Sequence, residues 1–211
     1  MTLLYTPATV LLGYLLGAIP IGLFVGRLAG VGDVRDYGSG KTGTTNVLRA
    51  AGLRWALAVL VLDFAKGAVP VLIGRFVFDD PWAAAIGGVA AVAGHTWPVF
   101  AGFRGGRGVA TVFGAFVAVS PPAALAVGLF AALVLAVSRY VSLMSILGVA
   151  AGCLVLIVLV ALGFTAPQYL AFAILVTVAI EFNHLDNIRR LLAGTEPKIG
   201  QGGARRSSGE T

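Results

Sequence analysis

Three polar, glycine-rich stretches interrupt an otherwise apolar chain, and they hold most of the side chains able to do chemistry. The first runs Asp36-Tyr-Gly-Ser-Gly-Lys-Thr-Gly-Thr-Thr-Asn-Val-Leu-Arg49. The second is Gly94-His-Thr-Trp-Pro-Val-Phe-Ala-Gly-Phe-Arg-Gly-Gly-Arg-Gly-Val-Ala-Thr111, and the third is His184-Leu-Asp-Asn-Ile-Arg-Arg-Leu-Leu-Ala-Gly-Thr-Glu196. Glycine lets backbone N–H groups turn toward an anion and approach it closely. Gly40 in the first stretch, and Gly105, Gly106 and Gly108 in the second, are therefore candidate phosphate-binding positions. Thr44-Thr45-Asn46 can cap a short helix running toward Arg49 and offer its first amides to the same anion. Arg49, Arg104 and Arg107 add charge-assisted, bidentate-capable donors. The alternative is ordinary interfacial turns with snorkelling arginines. Two such loops on one face favour an anion site.

Two nucleotide motifs fail on context. Gly38-Ser-Gly-Lys-Thr-Gly43 fits G-x-G-x-x-G, but an apolar helix precedes it where a dinucleotide fold needs a β-strand. Gly40-Lys41-Thr42 lacks the upstream glycine of a P-loop, since Arg35 stands there. Of the two histidines, His95 suits a packed, hydrogen-bonded role as well as catalysis. His184 lies three residues before Asn187, so on a helix both face one side. No carboxylate or Cys/His cluster suggests a metal, and no cofactor motif survives.

The elements that position these stretches are membrane helices. Of 211 residues, 58% are hydrophobic and 11% charged, too little charge to cover a water-soluble domain, and the mean hydropathy of +0.95 excludes a soluble nucleic-acid module. The one cysteine, Cys153, lies in the apolar run Gly148–Leu162, which rules out a disulfide within the chain. A helix needs roughly 20 apolar residues to cross a bilayer. Spans are read at Leu3–Phe24, Trp55–Phe78, Trp82–Val99, Leu143–Leu162 and Pro167–Phe182. Val109–Val137 is split by Pro121-Pro122 into two shorter helices, giving an all-α bundle of about seven membrane segments. The first apolar run has no basic residue before it and no convincing cleavage site, so it is read as a helix rather than a signal peptide.

All but two of the 15 lysines and arginines fall in the loops Gly26–Arg54, Phe100–Gly108 and Ser138–Tyr140 and in the stretch from Asn183 onward; the exceptions are Lys66 and Arg75. That asymmetry places the N-terminus outside, with the three polar stretches and the C-terminus in the cytoplasm. Asp63 and Lys66, at i and i+3 within a span, need partners. They are read as a structural ion pair beneath the site. Trp55, Trp82 and Trp97 at span ends are interface anchors. Residues 1–199 form one domain, and the Gly/Ser-rich tail 200–211 is expected to be disordered.

In order along the chain, the three stretches resemble the motifs of the PlsY family of bacterial acyl-phosphate:glycerol-3-phosphate acyltransferases. The first motif is similar to Gly38-Ser-Gly with Gly43 and Thr45 to Arg49, and the second to Gly94-His95, Pro98 to Phe100 and Gly102 to Thr111. The third resembles His184-x-x-Asn187-Ile188 with Arg190-Leu191, Gly194 and Glu196-x-Lys198. Lys41-Thr42 stands where the family has Asn-Pro, and Arg107 where it has lysine, which keeps the charge and changes its geometry. The resemblance implies transfer of a fatty acyl group from acyl phosphate to the 1-hydroxyl of glycerol 3-phosphate. The products are lysophosphatidic acid and phosphate, the first step of phospholipid synthesis, made by a multi-pass protein of the bacterial inner membrane. It implies phosphate and transition-state roles for Ser39, Arg49 and Arg107, supported by Thr45 and Asn46. His184 and Asn187 would orient or deprotonate the glycerol hydroxyl. The substrates and membrane lipids are the expected partners. The alternative is a small anion transporter built on broken helices. An acyl-CoA enzyme of the His-x-x-x-x-Asp type is disfavoured, because neither histidine is followed by an aspartate at that spacing.

Overall fold

The computed structural model describes residues 2–205, and these form ten α-helices with no β-strand among them. In chain order the helices are α1 Thr2–Ala18, α2 Ile21–Leu28, α3 Thr44–Ala51, α4 Leu53–Leu72 and α5 Pro81–Thr96. They continue with α6 Val109–Val119, α7 Pro121–Ser138, α8 Val141–Ala161, α9 Tyr169–Asn183 and α10 Leu185–Leu192. Five stretches are long and apolar enough to cross a membrane: Tyr5–Leu28, Leu53–Val77, Pro81–Ala101, Pro121–Ser138 and Val141–Ala161. The pair α9 and α10, bent by 57°, qualifies as a sixth when taken together. The all-helical, polytopic bundle expected from hydropathy is what forms.

Two boundaries differ from that expectation. The first span is not one helix: it breaks at Ile19-Pro20, because proline lacks the amide hydrogen and disfavours helical geometry in the residue before it. Pro121-Pro122 does separate two helices, but only α6, with 11 residues, is short. The prolines occupy the first positions of α7, where no amide is needed, so that helix runs a full 18 residues.

Helices in lipid gain little from burying apolar side chains against one another, so close backbone approach and satisfied polar groups hold them. Gly13 and Gly17 of α1 lie directly on the Gly87 and Ala91 carbonyls of α5, with no room for a methyl group. Gly67 of α4 and Gly114 of α6 meet the Thr111 and Phe64 carbonyls in the same way. Phe172 and Ile180 of α9 and Leu156 of α8 are fully buried among α4, α5 and α6 residues such as Val71, Val92 and Ala115.

Polar turns collect at the two ends. At one end Arg35 donates from Nη1 to the Ala101 (3.1 Å) and Arg104 (3.4 Å) carbonyls, tying the first polar loop to the second. Ile199 N–H, just after the third stretch, donates to the Arg139 carbonyl (2.8 Å) in the α7–α8 turn. At the other end Arg75 donates to the Ala118 and Val119 carbonyls (2.8 and 2.9 Å) that finish α6. Residues 200–205, expected to lack structure, run along the first loop: Gly38 N–H donates to the Ala204 carbonyl (3.1 Å), and Tyr37 pairs with Arg205. Paired backbone groups give this part of the tail partners that composition does not reveal. The rest of the tail, 206–211, lies outside the described residues.

Gly17→Leu should separate α1 from α5. Overpacking of this kind costs about 1–3 kcal/mol or more, so thermal unfolding in detergent is expected at a clearly lower temperature than for the unaltered protein.

Candidate active site

The first polar loop is shaped by a buried asparagine. Asn46, in the first turn of α3, donates from Nδ2 to the Val34 (2.7 Å) and Lys41 (2.8 Å) carbonyls, and its Oδ1 accepts from Ser39 N–H (3.0 Å). The side chain is only 2% exposed. It fixes Ser39 and the turn around it. The cap of α3 is Gly43 rather than a threonine hydroxyl, and Thr44 and Thr45 stand in the first turn. Thr44 Oγ1 is buried without a partner among the described residues, beside helix-start amides that favour an anion.

The third stretch folds around Glu196. The Asn187 Nδ2 donates to Glu196 Oε1 (2.6 Å), and the Arg190 Nε donates to Oε2 (2.7 Å). Burial opposes the charge on Glu196, yet the Asn187 and Arg190 hydrogen bonds outweigh it and hold the carboxyl below its usual range. Because the Asn187 NH2 is committed to a carboxylate, its Oδ1 is left as the free acceptor of the amide, buried and without a partner among the described residues. His184 sits in the bend between α9 and α10, 2% exposed, with Nδ1 2.8 Å from the Ile180 carbonyl. A carbonyl can only accept, so Nδ1 carries the hydrogen and Nε2 keeps its lone pair.

Arg49 and Arg107 supply the charge. Neither forms an ion pair among the described residues, and the Nε of each is buried without a partner. Burial weakens both cations, and nearby Arg190 and Arg49 add to the effect on Arg107, whose pKa falls to about 10. Both remain charged at neutral pH.

These groups line one cavity of about 1310 Å³. Ser39, Thr45, Arg49, Arg107, His184 and Asn187 are on its walls, with Asn46 and Gly108. The rest is an apolar trough of Leu57 and Leu60 from α4, Phe113 and Phe116 from α6, Ala131 and Leu135 from α7, Val149 and Leu156 from α8, and Val176 from α9. Along α8 the lining runs from Val141 to Leu156, about 22 Å at the α-helical rise. The cavity is thus amphipathic, cationic at one end and hydrocarbon-lined along its length.

The profile of the glycerol-3-phosphate acyltransferases matches residues 7–194. The chain belongs to that family. A glycerol-3-phosphate acyltransferase of Synechococcus sp. (strain CC9902) is 46% identical over 194 residues, covering 91% of this chain and 94% of that one. One of Rubrobacter xylanophilus is 44% identical, covering 90% and 94%. A crystal structure of PlsY, an integral membrane glycerol 3-phosphate acyltransferase in its glycerol 3-phosphate form, superposes with a TM-score of 0.84 at 41% identity, covering 92% of this chain and 96% of that one. Its lysophosphatidic acid form gives 0.82 at 39%, covering 92% and 95%. Membership decides for the acyltransferase over the anion transporter.

Within the acyltransferase, four expected contact residues stand apart from the cavity: Gly40, Arg104, Gly105 and Gly106 are not on its walls. Arg104 is exposed, turned outward after Gly102 and Phe103, both at positive φ. Gly40 closes the turn with its N–H on the Tyr37 carbonyl. Lys41, Asp186, Arg190 and Glu196, none of which had been assigned a role, also line the cavity. Burial lowers the Lys41 pKa, with Arg107 adding to it. The ion pair expected between Asp63 and Lys66 forms at 2.9 Å.

Glu196→Ala should free the Asn187 amide to rotate and leave Arg190 without its carboxylate. Acyl transfer is expected to fall by roughly tenfold or more, the loss of a charged hydrogen bond, whereas Glu196→Gln, which keeps an oxygen for Asn187, should retain more turnover.

Proposed function

We propose that this protein transfers a fatty acyl group from acyl phosphate to the 1-hydroxyl of glycerol 3-phosphate, at the cytoplasmic face of a bacterial inner membrane. The observation that carries this reading is the joining of unpaired arginines to an acyl-sized apolar trough in one cavity. Acyl phosphate has that shape, an anionic head on a hydrocarbon tail. Glycerol 3-phosphate is small, doubly anionic and water-soluble, and fits the cationic end. The PlsY structures in glycerol 3-phosphate and lysophosphatidic acid forms support the same acceptor and product. The cavity's cationic end lies among the basic loops, which the positive-inside rule assigns to the cytoplasm.

Charge is the main obstacle to the reaction. Two unit charges about 5 Å apart repel by about 3 kcal/mol at an effective dielectric of 20. Arg49, Arg107 and the donors around Ser39 and Thr45 offset this and bind the phosphoryl groups. His184 Nε2 and Asn187 Oδ1 face the glycerol 1-hydroxyl as acceptors. The hydroxyl oxygen attacks the acyl carbonyl carbon, its proton passes to His184 Nε2, and the carbon–oxygen bond to phosphate breaks. Phosphate leaves with the bonding electron pair and takes up the proton from the imidazole. No acyl-enzyme is formed, because the donor is already activated and binding supplies the alignment.

Purified protein given a long-chain acyl phosphate and glycerol 3-phosphate should yield lysophosphatidic acid and phosphate. Transfer from acyl-CoA alone would overturn the donor assignment. Arg49→Ala should lower turnover at least roughly tenfold while the protein still inserts, and near-normal turnover would remove Arg49 from the mechanism.

A further inference from the structure

The cavity wall includes a charge cluster that no step above uses. Asp63 is 2% exposed, and Lys66, one turn further along α4, is 8% exposed. Lys66 Nζ donates to the carbonyl of Ile19 (3.2 Å), a group at the α1–α2 break, and pairs with Asp63 Oδ1 at 2.9 Å. The same carboxylate oxygen faces His95 Nδ1 across 3.5 Å. His95 belongs to the last turn of α5, is 5% exposed, and lines the cavity with Asp63.

The other edge of the imidazole touches the second glycine-rich loop. Gly106 lies against His95 Nε2 so closely that a methyl group there would overlap the ring. The backbone closes the contact: Gly106 N–H donates to the His95 carbonyl (3.1 Å), and Gly105 N–H to the Thr96 carbonyl (3.2 Å). Arg107 is the next residue. Gly105 and Gly106 thus rest on the end of α5 instead of lining the cavity, and the ring beneath them is aimed at a carboxylate on α4. An imidazole can swing about its χ2 angle, which is broad for His. The Asp63 carboxylate 3.5 Å from Nδ1 favours one setting of the ring by proximity, without a hydrogen bond between the two.

We propose that His95, oriented by Asp63, is a positioning residue for Arg107: its ring is the floor under the Gly105–Gly106 turn and sets where the Arg107 guanidinium meets phosphate. This rests on the phosphate role given to Arg107 above. Shifts of about 1 Å in a reacting group, caused at a distance, can cost about a hundredfold in rate, so a floor that moves is enough to matter. It also gives the buried pair a use. Lys66 balances the Asp63 charge, so that the carboxylate can face His95 in a low-dielectric setting without remaining an uncompensated anion.

The test is a double-mutant cycle on acyl transfer with His95→Phe, which keeps a ring of similar shape without a donor toward Asp63, and Arg107→Ala. Each single variant is expected to lose roughly tenfold or more in turnover, with His95→Phe leaving the thermal unfolding temperature close to that of the unaltered protein. The combined variant should be no worse than Arg107→Ala, because the ring acts through that arginine. If the two losses multiply, or if His95→Phe turns over normally, the positioning role is overturned while the acyltransferase reading stands. Normal turnover by Arg107→Ala would overturn the positioning role together with the phosphate role given to Arg107, and would leave the acyltransferase reading standing. Should His95→Phe fail to accumulate, Asp63→Asn combined with Lys66→Met removes the anion without stranding a buried charge, and the same cycle with Arg107→Ala applies.

Discussion

Two arginine side chains drawn partly out of water without a carboxylate partner are the constraint on which the rest of this structure depends. Desolvating a cation is unfavourable unless something of opposite charge answers it. Arg49 and Arg107 have no such answer within the described chain, and the nearby carboxylate of Glu196 is already taken by Asn187 and Arg190. An arrangement of that kind is stable enough to persist in a folded protein and gains most when an anion enters. The same low-dielectric surroundings that weaken the cations strengthen their grip on phosphate.

The remaining polar groups follow from keeping that charge in place. Asn46 holds the loop that carries Ser39, Glu196 fixes the face of the Asn187 amide, and the Ile180 carbonyl fixes the His184 tautomer. Each is a buried polar group satisfied by a single geometry, so each fixes an orientation as well as adding stability. The apolar half of the cavity has a different origin. Glycine contacts bring α1 onto α5 and α4 onto α6, while α4, α6, α7, α8 and α9 all contribute to a trough that opens from the cationic end. Tight packing in one part of the bundle and a trough in another let one small chain hold both a phosphate and a hydrocarbon.

Much of this was legible in the sequence, because lipid leaves few alternatives. Hydropathy gave the helices, and charge asymmetry gave the shared end of the polar loops. Motif chemistry gave Ser39, Arg49, Arg107, His184 and Asn187, all of which meet in the cavity. What was not legible depends on direction. Arg104 and Arg107 are alike in type and close in sequence, yet the chain turns at Gly102-Phe103 and sends one outward. Asn46 reads as a helix cap from its neighbours, whereas its partners lie 5, 7 and 12 residues back. Glu196 acts nine residues from Asn187, beyond any helical spacing. The break at Pro20 was visible as a proline but hidden by the apolar run around it. Gly105 and Gly106 looked like a phosphate nest, and their tight fit instead follows from a helix end underneath.

The most direct measurement is equilibrium binding of glycerol 3-phosphate alone, by calorimetry in detergent, to the unaltered protein and to a variant carrying Arg49→Gln and Arg107→Gln together. The account expects binding that weakens as salt is raised in the first and is lost in the second, because neutral amides give the anion no desolvated charge to meet. Equal affinity in both, with the same salt dependence, would contradict it.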